Sequence, residues 1–295
     1  MSLATWAGAM PGRPAFRRRQ APNLSGLPKT LAAIGELDVR LAATKAEIRR
    51  AQKLRYRVFF EEGRAKADAT ARIIRRDVCR FDRVCDHLIV VDKSVARIDG
   101  KPTVVAACRL LRDDVAAANF GFYSSREFDV ASLIARHPGE RLLELGRACV
   151  APAYRSNKRA IELMWRGIWA YARHCRADAI FGCASFSGAR PAAHAAALRF
   201  LRGAGGSDPL WDVEAVEGRA ADLGPACEAL EARAALRSLP PLIKGYWRLG
   251  AKFGPQAVVD DEFDVTDVFA VMPVAAIEPR YLEYFAPDRA APLAA

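Results

Sequence analysis

Residues 142–161 read LLELGRACVAPAYRSNKRAI. An apolar run carrying Glu144 and Arg147 breaks at Pro152, a basic turn runs from Tyr154 to Arg159, and an amphipathic pattern then holds from Ile161 to His174. That is a strand, a loop and a helix. Ile161, Met164, Trp165, Ile168, Trp169 and Ala172 recur three or four apart, which gives the helix one apolar stripe to lay on a sheet. Ser156 or Asn157 is expected to cap its start, and Glu162 suits the dipole of the first turn. The unpaired N–H groups there, beside Arg155, Lys158 and Arg159, form an anion site suited to a phosphate.

Side chains alternate along an extended strand, so Glu144, Gly146, Ala148 and Val150 are expected on one face and Leu143, Leu145, Arg147 and Cys149 on the other. A carboxylate inside such a strand is unfavourable unless it is paired or reactive. Glu144 is therefore either the structural partner of an arginine or a general base.

The 295 residues, 52% of them hydrophobic, are enough for one large domain or one domain with a substantial insertion. Lys and Arg number 45 against 34 Asp and Glu, and the net charge of +11 favours acidic partners: an anionic membrane surface, an acidic carrier protein or nucleic acid. Nucleic acid is disfavoured, because the arginines are scattered among apolar residues without zinc-finger spacing or an aromatic RNA-binding signature. Seven irregularly spaced cysteines with no C-x-x-C pair argue against a disulfide framework and for a reducing compartment. No metal site is expected. Cys85-Asp86-His87 reads as a packed strand edge rather than a nucleophile. The longest apolar run, Val268 to Ile277, is short and broken by Pro273, and the N-terminal arginines precede no apolar core, so neither a spanning helix nor a secretory signal is expected. The expected location is the cytoplasm, either soluble or peripheral at the inner face of the membrane.

Residues 1–30, with four prolines and an arginine cluster, are expected to be a disordered basic tail, 36–286 the folded domain, and 287–295 a flexible end. Residues 37–41 read as a short strand. Over 46–62, Ile48, Ala51, Gln52, Arg55, Val58 and Phe59 share a helical face, which turns Arg55 towards a site. Residues 63–82 read as a loose charged loop of the kind that forms lids. HLIVVD (87–92), a turn at 99–102 and TVVAACRLL (103–111) read as an antiparallel pair with Arg109 inside it. Residues 120–130 are aromatic and irregular. AIFGCASF (179–186) is a buried strand, 190–200 a helix, 226–236 a further helix, and 239–254 neither a regular strand nor a long helix. A last strand over 263–271 puts Phe263, Val265, Asp267, Phe269 and Val271 on one face, where Asp267 needs a partner. The fold class is α/β (α+β), a sheet layered with helices.

An acidic strand, a basic loop at a helix N-terminus and a second strand resemble the acyl-donor core of the GCN5-related N-acetyltransferase fold, which implies a central mixed, mostly antiparallel sheet flanked by helices, here with a C-terminal extension. That family's loop is Q/R-x-x-G-x-G/A; Arg155 to Ala160 fill it here, with Lys158 at the first glycine. The departure suits acyl carrier protein, a pantetheine on a single phosphate attached to an acidic face, bound by Arg155, Asn157, Lys158 and Arg159. Arg55 with Phe59, Asp82 in RFD, Arg109 in CRLL and Glu144-Leu145-Gly146-Arg147 are similar to blocks of the acyl-homoserine-lactone synthases. A second acidic loop residue of that family falls at Cys79, so its carboxylate is missing or supplied by Asp77.

LRYRVFFEE (54–62), CDHLIVVD (85–92), FYSSREFD (122–129), LELGRACV (143–150), YR (154–155), GCASF (182–186), LPPLIKGYWRLGA (239–251) and FDVTDVFAVMPV (263–274) resemble, in order, the blocks of the ornithine N-acyltransferase (hemolysin-like) family. That resemblance implies transfer of a 3-hydroxyacyl chain from acyl carrier protein to the α-amine of L-ornithine, giving lyso-ornithine lipid, with no bound cofactor and with the membrane surface and a second O-acyltransferase as further partners. Another amino-acid acceptor such as glycine or lysine, autoinducer-type lactone formation and non-catalytic binding of carrier protein or membrane remain as alternatives. The expected roles are Glu144 as base, directly or through water; N–H groups near Ala148 to Ala151 as oxyanion donors; Arg109 or Arg147 on the ornithine carboxylate; and Asp82 or Asp86 on its side-chain ammonium. Phe122, Tyr123, Phe128 and Phe186 are expected to line an acyl groove. Tyr246, Trp247 and Phe253, below Lys244, Arg248 and Lys252, are candidates for a membrane interface or a buried element.

Overall fold

In the computed structural model, residues 24–96, 100–203, 208–221 and 232–285 are described. Most of the expected N-terminal tail, the whole of the expected C-terminal tail and the first half of the helix expected at 226–236 lie outside them.

The chain opens with β1 (Ala32–Ile34) and β2 (Leu37–Leu41), a tight hairpin. Helix α1 (Lys45–Tyr56) starts at Thr44, whose side chain accepts from the Glu47 N–H, and runs on into a wider π-helical turn, Arg57–Glu62, closed by the Gly63 N–H on the Val58 carbonyl at 3.0 Å. Residues 63–82 are not a free lid. They contain α2 (Ala69–Ile74), and their end folds inward through a 3-10 turn, Arg80–Arg83, in which Phe81 and Asp82 are buried. β3 (Asp86–Ala96) and β4 (Pro102–Arg112) form the expected antiparallel pair. The stretch expected to be irregular, 120–130, holds one 3-10 turn at Tyr123–Arg126, between α3 (Asp113–Ala118) and α4 (Val130–Arg136). β5 (Leu142–Val150), α5 (Arg159–Cys175) and β6 (Ala179–Ser187) are the strand, helix and strand of the opening reading. Helices α6 (Ala195–Arg202), α7 (Ala232–Ser238) and α8 (Pro241–Arg248) follow, then β7 (Lys252–Asp260), β8 (Val265–Pro273) and α9 (Pro279–Tyr284).

Residues 239–254 thus yield a helix and the start of a strand. Gly254 and Pro255 hide β7 from a sequence pattern, and an edge strand with a register shift between Phe253 and Ala257 tolerates both. The last strand begins at Val265, so Phe263 sits in the preceding turn.

The eight strands form one sheet in the order β1-β2-β3-β4-β5-β6-β8-β7, antiparallel except between β5 and β6. This is the mixed, mostly antiparallel sheet with a helical C-terminal extension that the resemblance implied. One face packs α5, α6 and α8 against Leu88, Val90, Leu143, Ile180, Val268 and Ala270. Full burial of side chains such as Leu163, Met164 and Ile168 contributes roughly 1.5–3 kcal/mol each, so α5 is fixed by its stripe. The other face carries α1 over Ile89, Val91 and Cys149, and beside it Phe81, Phe122 and Phe128 over Phe181 and Phe269.

β5 and β6 pair only over Leu142–Glu144 and Ala179–Phe181, then diverge. At the fork a Cβ on Gly182 would lie 2.5 Å from the Leu145 carbonyl oxygen, so only glycine lets the strands meet there.

Candidate active site

The fork lies beside a bulge. Arg109 pairs with Gly146 and Ala107 with Cys149, so Arg147 and Ala148 together face Cys108, and Arg147 takes a left-handed φ of 53°. Strict alternation therefore fails after Gly146. Arg147 joins Glu144 on the α1 side, while Ala148 and Val150 pack with Leu143 and Leu145 against the α5 side. The expected split between Glu144 and Arg147 is corrected by that one extra residue.

Glu144 is 3% exposed. Its Oε2 accepts from the Tyr123 N–H at 2.8 Å, and its Oε1 accepts from the Ser124 N–H at 2.7 Å and the Ser124 hydroxyl at 2.6 Å. Burial pushes the carboxyl above its ordinary range, against the pull of these donors and of the Arg109 charge. No arginine lies within ion-pair distance of it among the described residues, so the purely structural alternative, an arginine partner, is replaced by an anchor for the Tyr123–Ser124 turn.

Arg55 is 1% exposed and lies in a cage of acids. Its Nε donates to Asp77 Oδ2 at 2.7 Å, and its Nη2 donates to the Asp77 carbonyl at 2.6 Å and to Asp82 Oδ1 at 2.7 Å. Asp77, the open alternative, supplies the second carboxylate that Cys79 lacks. Burial alone would raise the Asp82 carboxyl; Arg55, Arg109 and the Cys79 N–H hold it below its ordinary value. With one oxygen on Arg55 and the other on Cys79 N, the Asp82 charge is already matched inside the protein by a buried guanidinium, which makes it a poor receiver for a substrate ammonium and corrects that assignment. Asp86 is corrected too. It bonds Arg112 at 2.8 Å and the Tyr171 hydroxyl at 2.5 Å, and Tyr171 belongs to α5, across the sheet from Glu144. His87 is buried with Nε2 3.0 Å from the Asp82 carbonyl, and burial pushes the Cys85 thiol up to about 12, as a packed edge requires.

Arg147 donates from Nη2 to the Tyr123 hydroxyl at 3.2 Å, has Nε 3.4 Å from Asp77 Oδ2, and stacks 4.0 Å from the Phe263 ring centre. Phe59 stands edge-on to Phe263 and forms the wall behind it. Arg109 differs. It is 2% exposed, yet its one hydrogen bond runs from Nη1 to Cys79 Sγ at 2.8 Å, its Nε has no partner, and no carboxylate lies within ion-pair distance among the described residues. Phe81 and Tyr123 face its guanidinium at 6.0 and 5.5 Å. A buried guanidinium without a counter-ion is built to receive an anion.

At the start of α5 the capping residue is Lys158 at φ 55°, not Ser156 or Asn157, although Asn157 Oδ1 accepts from the Arg159 N–H at 3.1 Å. Lys158 thus keeps the left-handed backbone that suits a glycine. Lys158 and Arg159 are exposed, with no carboxylate partner among the described residues, whereas Arg155 donates to Glu62 at 2.8 Å and to the Val150 carbonyl at 2.9 Å. Arg155 therefore ties the turn to the end of α1 and leaves Lys158 and Arg159 as the free cations of the anion site.

At the fork lies a small open pocket of about 30 Å³ lined by Leu145, Trp165, Phe181, Tyr246 and Met272 among others. The residues expected to line an acyl groove do not form one: Phe122, Phe128 and Phe186 are core, Phe128 tilted against Phe269 with no exposure, and Tyr123 belongs to the arginine cluster. Half-buried Tyr246 and Trp247 pack on Trp165 and Phe200, and Phe253 is buried, so this segment packs as a tertiary element. Among the described residues no helix is long and apolar enough to cross a membrane. The sequence reading passed over Ser124 and Glu127. Ser124 lies within FYSSREFD, and a small polar residue there signals its role only once Glu144 is seen to need donors.

An acetyltransferase (GNAT) domain family model matches residues 54–166. The solved structure of FeeM, an N-acyl amino acid synthase from uncultured soil microbes, is 9% identical, with a TM-score of 0.46 over 81% of this chain and 91% of that one. An L-ornithine N(alpha)-acyltransferase of Brucella abortus (strain 2308) is 48% identical over 86% of this chain and 90% of its own length. One of Agrobacterium fabrum (strain C58 / ATCC 33970) is 52% identical over 85% and 86%. The chain belongs to the L-ornithine N(alpha)-acyltransferase family.

Proposed function

We propose that this enzyme transfers a 3-hydroxyacyl group from acyl carrier protein to the α-amine of L-ornithine. The observation that carries the reading is the buried, counter-ion-free Arg109 beside Glu144 and the β5 bulge, at the fork of the sheet. Arg109 takes the amino-acid carboxylate, since Arg147 is already engaged by Asp77 and Tyr123. The amine nitrogen attacks the thioester carbon, the C–S bond breaks, and the pantetheine thiol leaves with a proton. Glu144, its oxygens filled by Tyr123 and Ser124, takes the ammonium proton through a water. Oxyanion donors come from the N–H groups of residues 148 and 150; Ala151 is excluded, because its N–H already serves the Val105 carbonyl at 2.8 Å, and so is Cys149, which faces Ala107 two residues along the same ladder. The acyl chain lies in the cavity at the fork, and the pantetheine phosphate lies at Lys158 and Arg159. The product keeps a free 3-hydroxyl for a second, O-acylating enzyme, and its amphiphilic character directs it to a membrane surface.

Purified enzyme with a 3-hydroxyacyl carrier-protein thioester and a panel of amino acids should give N-acyl-ornithine by mass spectrometry, with the coenzyme A thioester much the poorer donor. Acylation of another amine in place of ornithine, or equal use of coenzyme A, would overturn the corresponding half of the proposal. Glu144→Gln should keep its fold and lose about 10²–10⁴-fold in kcat; turnover within about tenfold of the parent would remove Glu144 from the proton path. Lys158→Gly should raise the denaturation midpoint, by no more than about 1 kcal/mol, because it relieves a left-handed lysine, and should raise KM for the carrier-protein donor. An unchanged KM would place the carrier protein elsewhere.

A further inference from the structure

Beyond Tyr123, on the face that carries Glu144, three strangers in sequence come together. Glu127 follows the Tyr123–Arg126 turn, Cys183 belongs to β6 and Asp267 to β8; one ligand atom from each lies within 4.8 Å of the other two. Both acids are 5% exposed. The cation nearest them is the half-exposed Arg219, 3.7 Å from Glu127 Oε1. Cys183 Sγ lies 3.5 Å from Glu127 Oε2 and 3.4 Å from the Ser124 hydroxyl, which itself bonds Glu144. Asp267 Oδ1 is buried and has no hydrogen-bond partner.

Such a pair is poor structural material. Burial pushes both carboxyls above their ordinary range, helped by Asp260 at Glu127 and by Glu127 and Asp260 at Asp267, and a core kept for stability would replace them with apolar residues. Their field instead complements the arginines. Tyr123 feels Arg147 from one side and Glu127 and Asp260 from the other. A molecule at this site therefore meets positive charge at one end and negative charge at the other.

We propose that Glu127 and Asp267 receive the side-chain ammonium of the amino-acid acceptor and so select a diamino acid over neutral amino acids. The inference rests on the amino-acid N-acyltransferase reading above, and it takes over the role from which Asp82 and Asp86 are excluded. An ammonium brings three N–H donors and a full charge, which the open Asp267 oxygen and the Glu127 carboxylate match. The α-carboxylate on Arg109 and the side-chain ammonium on the acid pair would hold the α-nitrogen between them, at the fork.

The test compares ornithine with norvaline, which has the same carbon chain and no terminal amine, for the parent enzyme, Asp267→Asn and Glu127→Gln. The parent should prefer ornithine strongly, since a site built for a charged partner rejects its neutral isostere. Each variant should lose about 100-fold in kcat/KM for ornithine. Norvaline turnover should rise, and the melting temperature should hold or rise. Equal falls for both acceptors, or an ornithine preference unchanged in both variants, would overturn the proposal. So would loss of parent activity on chelation with recovery on adding a divalent cation, because the trio would then hold a metal. A parent with no preference for ornithine would overturn the proposed function itself, whereas a parent that prefers it beside variants that still do would overturn this inference alone.

Discussion

Arg109→Met should fold with nearly unchanged stability and lose about 10²–10³-fold in kcat/KM for the amino-acid acceptor. The two halves of that expectation have one cause. Arg109 is buried among Phe81, Tyr123 and the Cys79 thiol with no carboxylate in ion-pair distance among the described residues, and Asp82 and Glu144, which feel its charge, keep their own hydrogen-bond partners when it is removed. An unbranched apolar side chain suits the rings it touches. Turnover depends on the same guanidinium, because it is the cation left to orient the acceptor's carboxylate. Thermal melting and steady-state kinetics read the two halves separately. A chain that unfolds would show that Arg109 is structural, and one that turns over normally would move the carboxylate to Arg147.

Arg55→Met should do the reverse and lose about 3–5 kcal/mol of stability, because it leaves Asp77 and Asp82 buried side by side without their cation. Residues 77–83 would come loose, taking with them the Phe81 ring that covers Arg109, so activity should fall as well. The pH dependence identifies the cause. The Asp82 carboxyl is held below its ordinary value of 3.8 in the folded chain, so its contribution is complete above that pH and is lost as pH falls through the depressed folded value. The stability gap between parent and variant, measured by urea denaturation, should be full at neutral pH and should narrow in acid below about pH 4. A gap that does not change with pH would mean that Arg55 acts through packing alone.

Much of this was legible from residues because it is carried by periodicity or by order. The stripe from Ile161 to Ala172 fixed α5, the alternation over 87–92 fixed β3, and the order of blocks fixed the family fold. Arg55, Glu144 and Arg109 stood out as charges in apolar patterns. Three things were not legible, each for a physical reason. The place of Arg147 depends on one left-handed backbone angle, which no side-chain pattern reports. Asp86 and Asp82 look alike in sequence, but one lies beneath Tyr171 of α5 and the other beneath Arg55 of α1. Glu127 and Asp267 meet only because β8 inserts beside β6, so the odd acid in the last strand could be seen to want company but not to find another acid.

The fork between β5 and β6 also decides how the molecule yields. Three residue pairs are all that join β1 to β5 with β6 to β8, whereas β6 and β8 share nine. The sheet is in effect two stiff plates on a short hinge. On the proposed function, an acyl thioester entering the gap would act as a wedge on the angle between them. The arginines sit on one plate and Asp267 on the other, with Glu127 beside the turn that Glu144 anchors, so on the proposed function a donor in the gap would set the spacing at which the acceptor's two ends are caught.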